Sequence, residues 1–366
     1  MLEPAIWFVI GLVALAGGAE LLVRAVSKIA SFFGIPRLII GLTVVAFGTS
    51  APELAVSIQA GTDGQTDLML GNIVGSNISN TLLILGISAL IIPLKVNKQL
   101  IKSDVPILVG ITILVIIFAL NGMITFVECV VLSILLVVYL LYLVRSSGKL
   151  SVEENNPDEL TLFEIILQFV LVIAGFAGLI FGAGWLIDSS LVFAEMAGVS
   201  ELVIGLTFVA IGTSLPEIVV AVVAALKGER DIAVGSVIGS NILNLLAVLG
   251  VSGLFIPGGI PVQDALLRFD LIVLIAITLL CLPLFYTGHI VSRWEGALLF
   301  GFYLSYVAYL YLSATGSDLL SVFGYIMLYL VIPITLITVI VITAMEWKKR
   351  FRFRGFQQSK GEEENE

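Results

Sequence analysis

The sequence predicts an all-α polytopic membrane protein, with ten helices in two inverted five-helix repeats plus one extra C-terminal transmembrane helix. Composition and an internal repeat predict this fold class. Of the 366 residues, 59% are hydrophobic and only 12% are charged, which lies outside the range of soluble domains. Uncharged runs of about 20 residues, long enough to cross a bilayer, recur along the chain. A soluble globular domain is therefore excluded.

Eleven apolar runs, separated by polar or Gly/Pro-containing segments, predict eleven membrane spans. The first run follows no positively charged segment and has no evident cleavage site, so we expect it to be retained as a span rather than removed as a signal peptide. The predicted spans are residues 5–27, 38–60, 68–90, 105–120, 124–144, 162–187, 202–226, 232–256, 269–286, 295–312 and 320–345.

An internal repeat relates the two halves of the chain. Residues 41–60 and 205–224 are identical at 12 of 20 positions. At the same offset, Gly-Asn-Ile-Val-Gly-Ser-Asn at residues 71–77 matches Gly-Ser-Val-Ile-Gly-Ser-Asn at residues 235–241. Five spans, an odd number, separate the copies, so equivalent segments cross the membrane in opposite directions. Secondary transporters use this kind of inverted duplication.

The spans and the repeat divide the chain into five parts. The eleventh span lies outside the duplication, and the segments after spans five and eleven are charged and predicted to be solvated. The parts are residues 1–145 (first inverted repeat, spans one to five), 146–160 (cytosolic linker), 161–313 (second inverted repeat, spans six to ten), 314–346 (extra transmembrane helix) and 347–366 (cytosolic tail).

The basic residues predict how the chain is oriented. With the N-terminus outside, all 18 Lys and Arg residues except Arg268 fall at cytosolic ends of spans or in the cytosolic C-terminal tail.

The net charge of −9 provides no basic surface for nucleic acid. Two cysteines inside apolar runs and the single His289 build neither a zinc site nor a disulfide framework. We expect a lipid bilayer around the chain and no obligate protein partner.

Each repeat carries a proline followed by a glutamate inside a span. In Gly-Thr-Ser-Ala-Pro-Glu, residues 48–53, Pro52 has no amide hydrogen and its ring crowds the carbonyl of Gly48, so the helix should kink or open there. Bare carbonyls and a carboxylate at that depth are tolerated only where they face protein, water or an ion. Residues 212–217, Gly-Thr-Ser-Leu-Pro-Glu, repeat every element.

These residue types predict a site for a hard cation such as Ca²⁺ or Na⁺, which prefers carboxylate, hydroxyl and carbonyl oxygens. Glu53 and Glu217 are the duplicated acids assigned to this site. A mid-span carboxylate costs a few kcal/mol on insertion scales, so a duplicated pair indicates ion binding. The neighbouring spans offer further hydroxyl and amide oxygens, with each asparagine four residues after a serine and hence on its helix face. These residues are Ser76, Asn80, Ser240 and Asn244.

One other acid in a span is interpreted structurally. Glu20 precedes Arg24 by four residues, which predicts an ion pair on the surface of one helix. Its counterpart in the second repeat is Gly184, so it has no duplicated partner.

At the two motif pairs, the sequence resembles the calcium/cation antiporter superfamily, specifically the sodium/calcium exchanger type common in prokaryotes. The resemblance covers both halves of the chain. It implies that the two glutamates bind the transported ions, with hydroxyl groups and two backbone carbonyls. Carried over residue by residue, the implied ligands are Glu53, Thr49, Ser50, Ala46 and Ser76 in one half and Glu217, Thr213, Ser214, Ala210 and Ser240 in the other.

The resemblance also implies a mechanism. Spans two, three, seven and eight would form the ion-binding core, and spans one and six would move against it. The chain would be a secondary active antiporter of the cell membrane, not an enzyme. It would exchange Ca²⁺ for Na⁺ by alternating access, without a cofactor and electrogenically. A Ca²⁺/H⁺ antiporter of the same superfamily is the first alternative and a passive cation channel is a remote one.

Overall fold

The computed structural model describes residues 2–147, 161–196, 214–335, 337 and 338. This part of the chain is built from helices and four two-residue strands. The helices are α1 Leu2–Phe33, α2 Arg37–Thr49, α3 Ala51–Thr62, α4 Thr66–Ile91, α5 Leu100–Ala119, α6 Phe126–Ser147, α7 Leu162–Met196, α8 Leu215–Leu226, α9 Arg230–Gly253, α10 Leu266–Tyr286, α11 Arg293–Ala314 and α12 Leu319–Thr335.

The all-helical membrane architecture predicted from composition is confirmed. Within the described ranges, eight helices are long and apolar enough to cross a membrane, and α2 with α3 makes a ninth if the pair is counted as one bent span. Spans 202–226 and 320–345 lie partly outside the described residues. Observed helices also run past the predicted ends: α1 extends to Phe33, beyond the predicted end at Ser27, and ends before Gly34, which has a φ of 61°.

Several helices contain a five-residue π-helical turn, which the sequence pattern did not predict. Such turns add a residue to the helical repeat and are frequent at functional sites. They lie at Gly41–Val45, Asn80–Ile84, Leu100–Asp104, Asn244–Val248, Leu266–Asp270 and Met327–Val331.

The helices α1 and α7 pack against each other along their lengths through glycines. A Cβ atom on Gly18 would lie 2.8 Å from the carbonyl oxygen of Gly175, and one on Gly182 would lie 2.9 Å from the carbonyl oxygen of Gly11. Small residues allow such close backbone approach between helices in a membrane. The outer faces of this pair are apolar and exposed, which suits contact with lipid.

Two helices form the buried centre of the protein. The apolar segment of α9 is buried on all sides, and that of α4 is largely buried. Helix α2 packs against α9. A Cβ atom on Gly239 of α9 would lie 2.8 Å from the Cα atom of Leu42 on α2. Cβ atoms on Gly235 and Gly239 would meet the backbone of α2, whereas Cβ atoms on the corresponding Gly71 and Gly75 would meet nothing within 4 Å, so only the second glycine pair allows close helix packing.

Four short strands join loops of the two halves. The strands are β1 Leu94–Lys95, β2 Met123–Ile124, β3 Ile260–Pro261 and β4 Ile290–Val291. β1 pairs antiparallel with β4, and β2 pairs antiparallel with β3. The loop after α4 therefore lies on the same face as the loop after α10, and the loop after α5 lies on the same face as the loop after α9.

Candidate ion-binding site

In both proline motifs, a helix begins directly after the serine. Ser50 has φ −81° and ψ 2°, and α3 begins after it with Pro52 in its first turn, bent by 43° from α2. Ser214 has φ −88° and ψ 3°, and α8 begins after it with Pro216 in the same place. The predicted kink is therefore observed at Pro52, and the described part of the second copy has matching geometry. In this geometry, Glu53 lies in the first turn of α3 and Glu217 lies in the first turn of α8.

The predicted ligands that lie in the described ranges are all buried, each with no more than 4% of its surface exposed. Four polar segments contribute them: the α2–α3 break, the middle of α4, the start of α8 and the middle of α9. Thr213 and Ala210 lie outside the described residues. The buried residues are Ala46, Thr49, Ser50, Glu53, Ser76, Asn80, Ser214, Glu217, Ser240 and Asn244.

The two glutamates come from different halves of the chain and interact electrostatically with each other. Oε2 of Glu53 and both carboxylate oxygens of Glu217 accept no hydrogen bond from any described residue. No ion pair in the described ranges involves either glutamate. Two neighbouring buried carboxylates without a basic partner repel each other and lose their hydration, so a cation or protons must compensate their charge.

Neutral oxygens of the first half face the acid of the second half. The hydroxyl groups of Thr49 and Ser50 face the Glu217 carboxylate, although neither makes a hydrogen bond of ordinary geometry with it. Ser50 Oγ and Ser214 Oγ have no hydrogen-bond partner in the described part of the chain. The Ala46 carbonyl accepts hydrogen bonds from the Ser50 amide at 2.9 Å and from Thr49 Oγ1 at 3.3 Å. The long Thr49 contact leaves that hydroxyl able to turn toward an ion.

The π-helical turns bring the two asparagines to the glutamate helices. The turn that begins at Asn80 packs against α8, which carries Glu217, and the turn that begins at Asn244 packs against α3, which carries Glu53. Oδ1 of each asparagine is buried without a hydrogen bond to the described residues. Each side chain therefore has a buried oxygen available beside a helix that carries one of the two glutamates.

A hydrogen bond crosses between the halves beside this region. Asn241 Nδ2 on α9 donates to Thr81 Oγ1 on α4 at 2.8 Å. The counterpart of Asn241 is Asn77, whose amide donates to the Ile73 carbonyl of its own helix at 2.8 Å. The two halves therefore differ in detail, because the residue equivalent to Thr81 is Leu245, which has no hydroxyl.

The oxygen set suits a hard cation rather than a soft metal. The described ranges contain no group of three or more His, Cys, Asp or Glu side chains that could hold a metal ion. Beyond the two carboxylates, the available ligands are hydroxyl, amide and backbone oxygens, which suit Na⁺ and Ca²⁺ and do not favour zinc or copper.

Comparison with protein families gives a match in both halves of the chain. The family described as sodium/calcium exchanger protein matches residues 4–145 and 167–312. The chain belongs to the sodium/calcium exchanger family. It is therefore an integral membrane protein of a transporter family and not an enzyme.

Curated relatives and solved structures agree with this family. The chain is 35% identical over 345 residues to the sodium/calcium exchanger MaX1 of Methanosarcina acetivorans, covering 82% of this chain and 97% of MaX1. It is 35% identical over 322 residues to the inner membrane protein YrbG of Escherichia coli, covering 85% of this chain and 98% of YrbG. A structure of the sodium-calcium exchanger NCX_Mj, soaked with Na⁺ and Ca²⁺, superposes with a TM-score of 0.73 at 32% identity, covering 84% of this chain and 98% of NCX_Mj.

Sequence analysis missed an aromatic contact at this exchanger's site. A Cβ atom on Gly48 would overlap ring atoms of Phe176, so the ring of this α7 residue rests on the motif glycine next to Thr49. At the offset that relates Gly41 to Gly205, Phe176 corresponds to Leu12, which is largely exposed. No repeat signal therefore indicated Phe176, and only the packing of α7 on α2 reveals it.

The predicted ion pair between Glu20 and Arg24 is confirmed, but it has a further member. Lys227, just after α8, places its Nζ atom 3.0 Å from Glu20 Oε1. Glu20 therefore also links α1 to the end of the Glu217 helix. Because Lys227 belongs to the other half of the chain, helix spacing alone could not identify it.

A pair of acids outside the glutamate site also corresponds across the two halves, and the repeat search did not identify it. Asp104 and Asp270 are each the last residue of a π-helical turn near the start of a span. Their separation is longer than the offset of the motif repeat, because the second copy has two more residues between its proline, Pro257, and its aspartate than the first copy has after Pro93. A search at a fixed offset therefore did not find them.

Proposed function

We propose that this chain is a secondary active antiporter that exchanges Ca²⁺ for Na⁺ across the cell membrane by alternating access, exporting Ca²⁺ as Na⁺ enters. The observation that supports this most directly is the buried pair of Glu53 and Glu217, which interact without a basic partner in the described ranges. Two carboxylates neutralise one Ca²⁺. The surrounding hydroxyl and amide oxygens can replace the hydration shell of that ion or of Na⁺.

We further propose that Thr213 and Ala210 supply the ligands that correspond to Thr49 and Ala46. Both follow from the internal repeat. The matching backbone angles of Ser50 and Ser214 support an equivalent arrangement on the two sides of the site.

The loop pairing supports two inverted repeats of five helices, residues 1–145 and 161–313. By sequence order β1 corresponds to β3 and β2 to β4, yet β1 pairs with β4 and β2 with β3. Equivalent loops therefore lie on opposite faces, as expected if the two halves cross the membrane in opposite directions.

An asymmetry between the halves supports alternating access. α1 packs along α8, whereas the pair that corresponds to it by sequence, α7 and α3, makes few contacts across its described residues. Among the described residues, one face of the core is thus covered by α1 and α7, while the opposite face is less covered. If α7 packed along α3 and α1 moved away from α8, the glutamates would become exposed to the other side of the membrane. A passive channel would require both faces to open together.

We infer that the N-terminus is outside, because this orientation places all basic residues except Arg268 on the cytosolic side. Cysteine probes in a cysteine-free background test this. Probes at Lys98 should react from the cytosol and probes near Gly64 and Gly259 from outside. Reversed labelling would contradict the orientation.

Proton coupling is the second candidate, because a buried carboxylate that loses a cation can take up a proton. The deciding experiment is ⁴⁵Ca²⁺ uptake by purified protein in liposomes loaded with Na⁺, K⁺ or choline, with and without a pH gradient. Uptake that requires internal Na⁺ and persists when the pH gradient is collapsed supports Na⁺/Ca²⁺ exchange. Uptake driven by the pH gradient alone would favour Ca²⁺/H⁺ antiport.

A further inference from the structure

A second cluster of buried polar side chains lies on α5 and α6, helices that carry none of the proposed exchange ligands. Asp104 is fully buried at the end of the π-helical turn of α5. Gln99, just before that turn, and Tyr139 on α6 face Asp104 as donors, but neither makes a hydrogen bond of ordinary geometry with it. Both carboxylate oxygens of Asp104, the Tyr139 hydroxyl and Gln99 Nε2 form no hydrogen bond with the described residues.

The charge of Asp104 has no compensating side chain in the described part of the chain. No ion pair in those ranges includes Asp104. The ionisable group that faces it is Tyr139, which in turn interacts with Tyr142. Neither tyrosine supplies a positive charge. A carboxylate buried in a span without a cation is several kcal/mol unfavourable, so an ionisable group there points to a function.

The second half of the chain contains a corresponding aspartate–tyrosine pair, which differs in hydrogen bonding and in burial. Asp270 also ends a π-helical turn, at the start of α10, and Tyr306 on α11 faces it as Tyr139 faces Asp104. There the tyrosine hydroxyl donates to Asp270 Oδ1 at 2.8 Å, and the aspartate is only half-buried. A direct hydrogen bond therefore satisfies this pair, whereas the Asp104 cluster combines complete burial with polar atoms that bond to no described residue.

We propose that Asp104, Tyr139 and Gln99 form a second cation site, separate from the glutamate pair, that binds a small monovalent cation. The carboxylate supplies a single negative charge, which balances one monovalent ion but would leave a divalent ion with an uncompensated positive charge in a low-dielectric region. The carboxylate and the phenol offer oxygen ligands, which hard alkali cations accept, and the Gln99 amide borders the site. Among monovalent ions we assign Na⁺.

The test first removes both carboxylates of the proposed exchange site. In a Glu53→Gln, Glu217→Gln double variant in nanodiscs, Tm is followed against NaCl at constant ionic strength, with choline chloride as the replacement salt. Na⁺ should raise Tm steadily, because a ligand bound only by the folded state stabilises it by mass action. Adding Asp104→Asn should abolish the rise and Tyr139→Phe should weaken it, while the matched control Asp270→Asn should retain it. Absence of the rise in the double variant, or its persistence with Asp104→Asn, overturns the proposal.

A second measurement does not depend on the folding of Asp104→Asn. Infrared difference spectra of the double variant, recorded on exchanging choline for Na⁺, should show a carboxyl band that persists with Asp270→Asn and shifts with Asp104→Glu. A parallel exchange for KCl should give a smaller change. A carboxyl band that responds to pH but not to Na⁺ would mean that a proton alone occupies Asp104, and the proposal would be wrong. Failure of this site leaves the exchange function intact, because the glutamates are absent from the background.

Discussion

Asn72 on α4 donates a hydrogen bond from Nδ2 to the backbone carbonyl of Glu53 on α3, at 3.2 Å. The same amide also donates to Ser57 Oγ, one turn further along α3, at 3.0 Å. Asn72 therefore fixes the helix that carries one of the two buried carboxylates. The counterpart of Asn72 in the second half, Ser236, instead donates to the Ala233 carbonyl of its own helix.

We expect Asn72→Ala to weaken Ca²⁺ binding more than Ser236→Ala does. Asn72→Ala removes two hydrogen bonds, of which the one to the Glu53 carbonyl positions the carboxylate. A hydrogen bond is worth about 1 kcal/mol, or about a fivefold change in affinity. The KM for Ca²⁺ should therefore rise about fivefold with a smaller change in maximal rate, because Asn72 positions Glu53 and is not itself proposed as a ligand. Initial rates of Na⁺-driven ⁴⁵Ca²⁺ uptake measure both constants. Equal effects of the two substitutions would contradict this role.

Glu53→Gln and Glu217→Gln should each abolish exchange while the protein still inserts and purifies. Removing one partner from a buried charge site costs ~3–5 kcal/mol, so Ca²⁺ binding should fall by about 100-fold or more. Glu20→Gln is the matched control, because Glu20 is half-buried in a surface ion pair. It should retain substantial uptake. Near-normal exchange by either core variant would rule out the glutamate site.

Gly18→Ala should impair folding or exchange, whereas Gly17→Ala should be tolerated. A Cβ atom on Gly18 would meet the Gly175 carbonyl oxygen at 2.8 Å, but Gly17 is exposed with open space around it. Overpacking of this kind typically costs ~1–3 kcal/mol. Tm and uptake rates of the two variants, measured side by side, test the prediction. Identical behaviour would mean that the α1–α7 contact can separate freely.

Cross-linking α1 to the end of α8 should stop transport. Glu20 and Lys227 are joined by an ion pair at 3.0 Å in this conformation, in which α1 packs along α8. With Cys129 and Cys281 replaced by serine, a short reducible cross-linker between cysteines at 20 and 227 should block exchange, and reductant should restore it. Each single-cysteine variant serves as a control. Full activity of the cross-linked protein would show that this contact need not open during transport.

Transport should be electrogenic. The two carboxylates balance one Ca²⁺, whereas three Na⁺ would leave the core at about +1, and the membrane potential acts on that charge with about 2.3 kcal/mol per 100 mV. Asn80 and Asn244 add no charge. Ca²⁺ flux should therefore change between opposite potentials set with K⁺ and valinomycin, once K⁺ itself is shown not to be transported. Flux indifferent to the potential would indicate two Na⁺, or two protons, per Ca²⁺.

The membrane architecture and the helix breaks could be predicted from the sequence because they depend on local chemistry. A chain with 12% charged residues and recurring apolar runs has few folds other than a helical bundle in lipid. Pro52 cannot donate a backbone hydrogen bond in any surroundings, so the break before α3 could be predicted from the local sequence. The repeat then indicated which acids correspond across the halves wherever the two copies keep the same spacing.

The tertiary structure alone decided which groups meet. The Glu217 carboxylate faces Thr49 and Ser50 of the other half of the chain, and that contact depends on how α2, α8 and α9 cross. Asp104 and Asp270 escaped detection because an inserted pair of residues shifted the repeat, and π-helical turns changed the helix faces that ideal spacing predicts. Local sequence thus determined the ligand types and the breaks, whereas long-range packing determined which residues share one buried site.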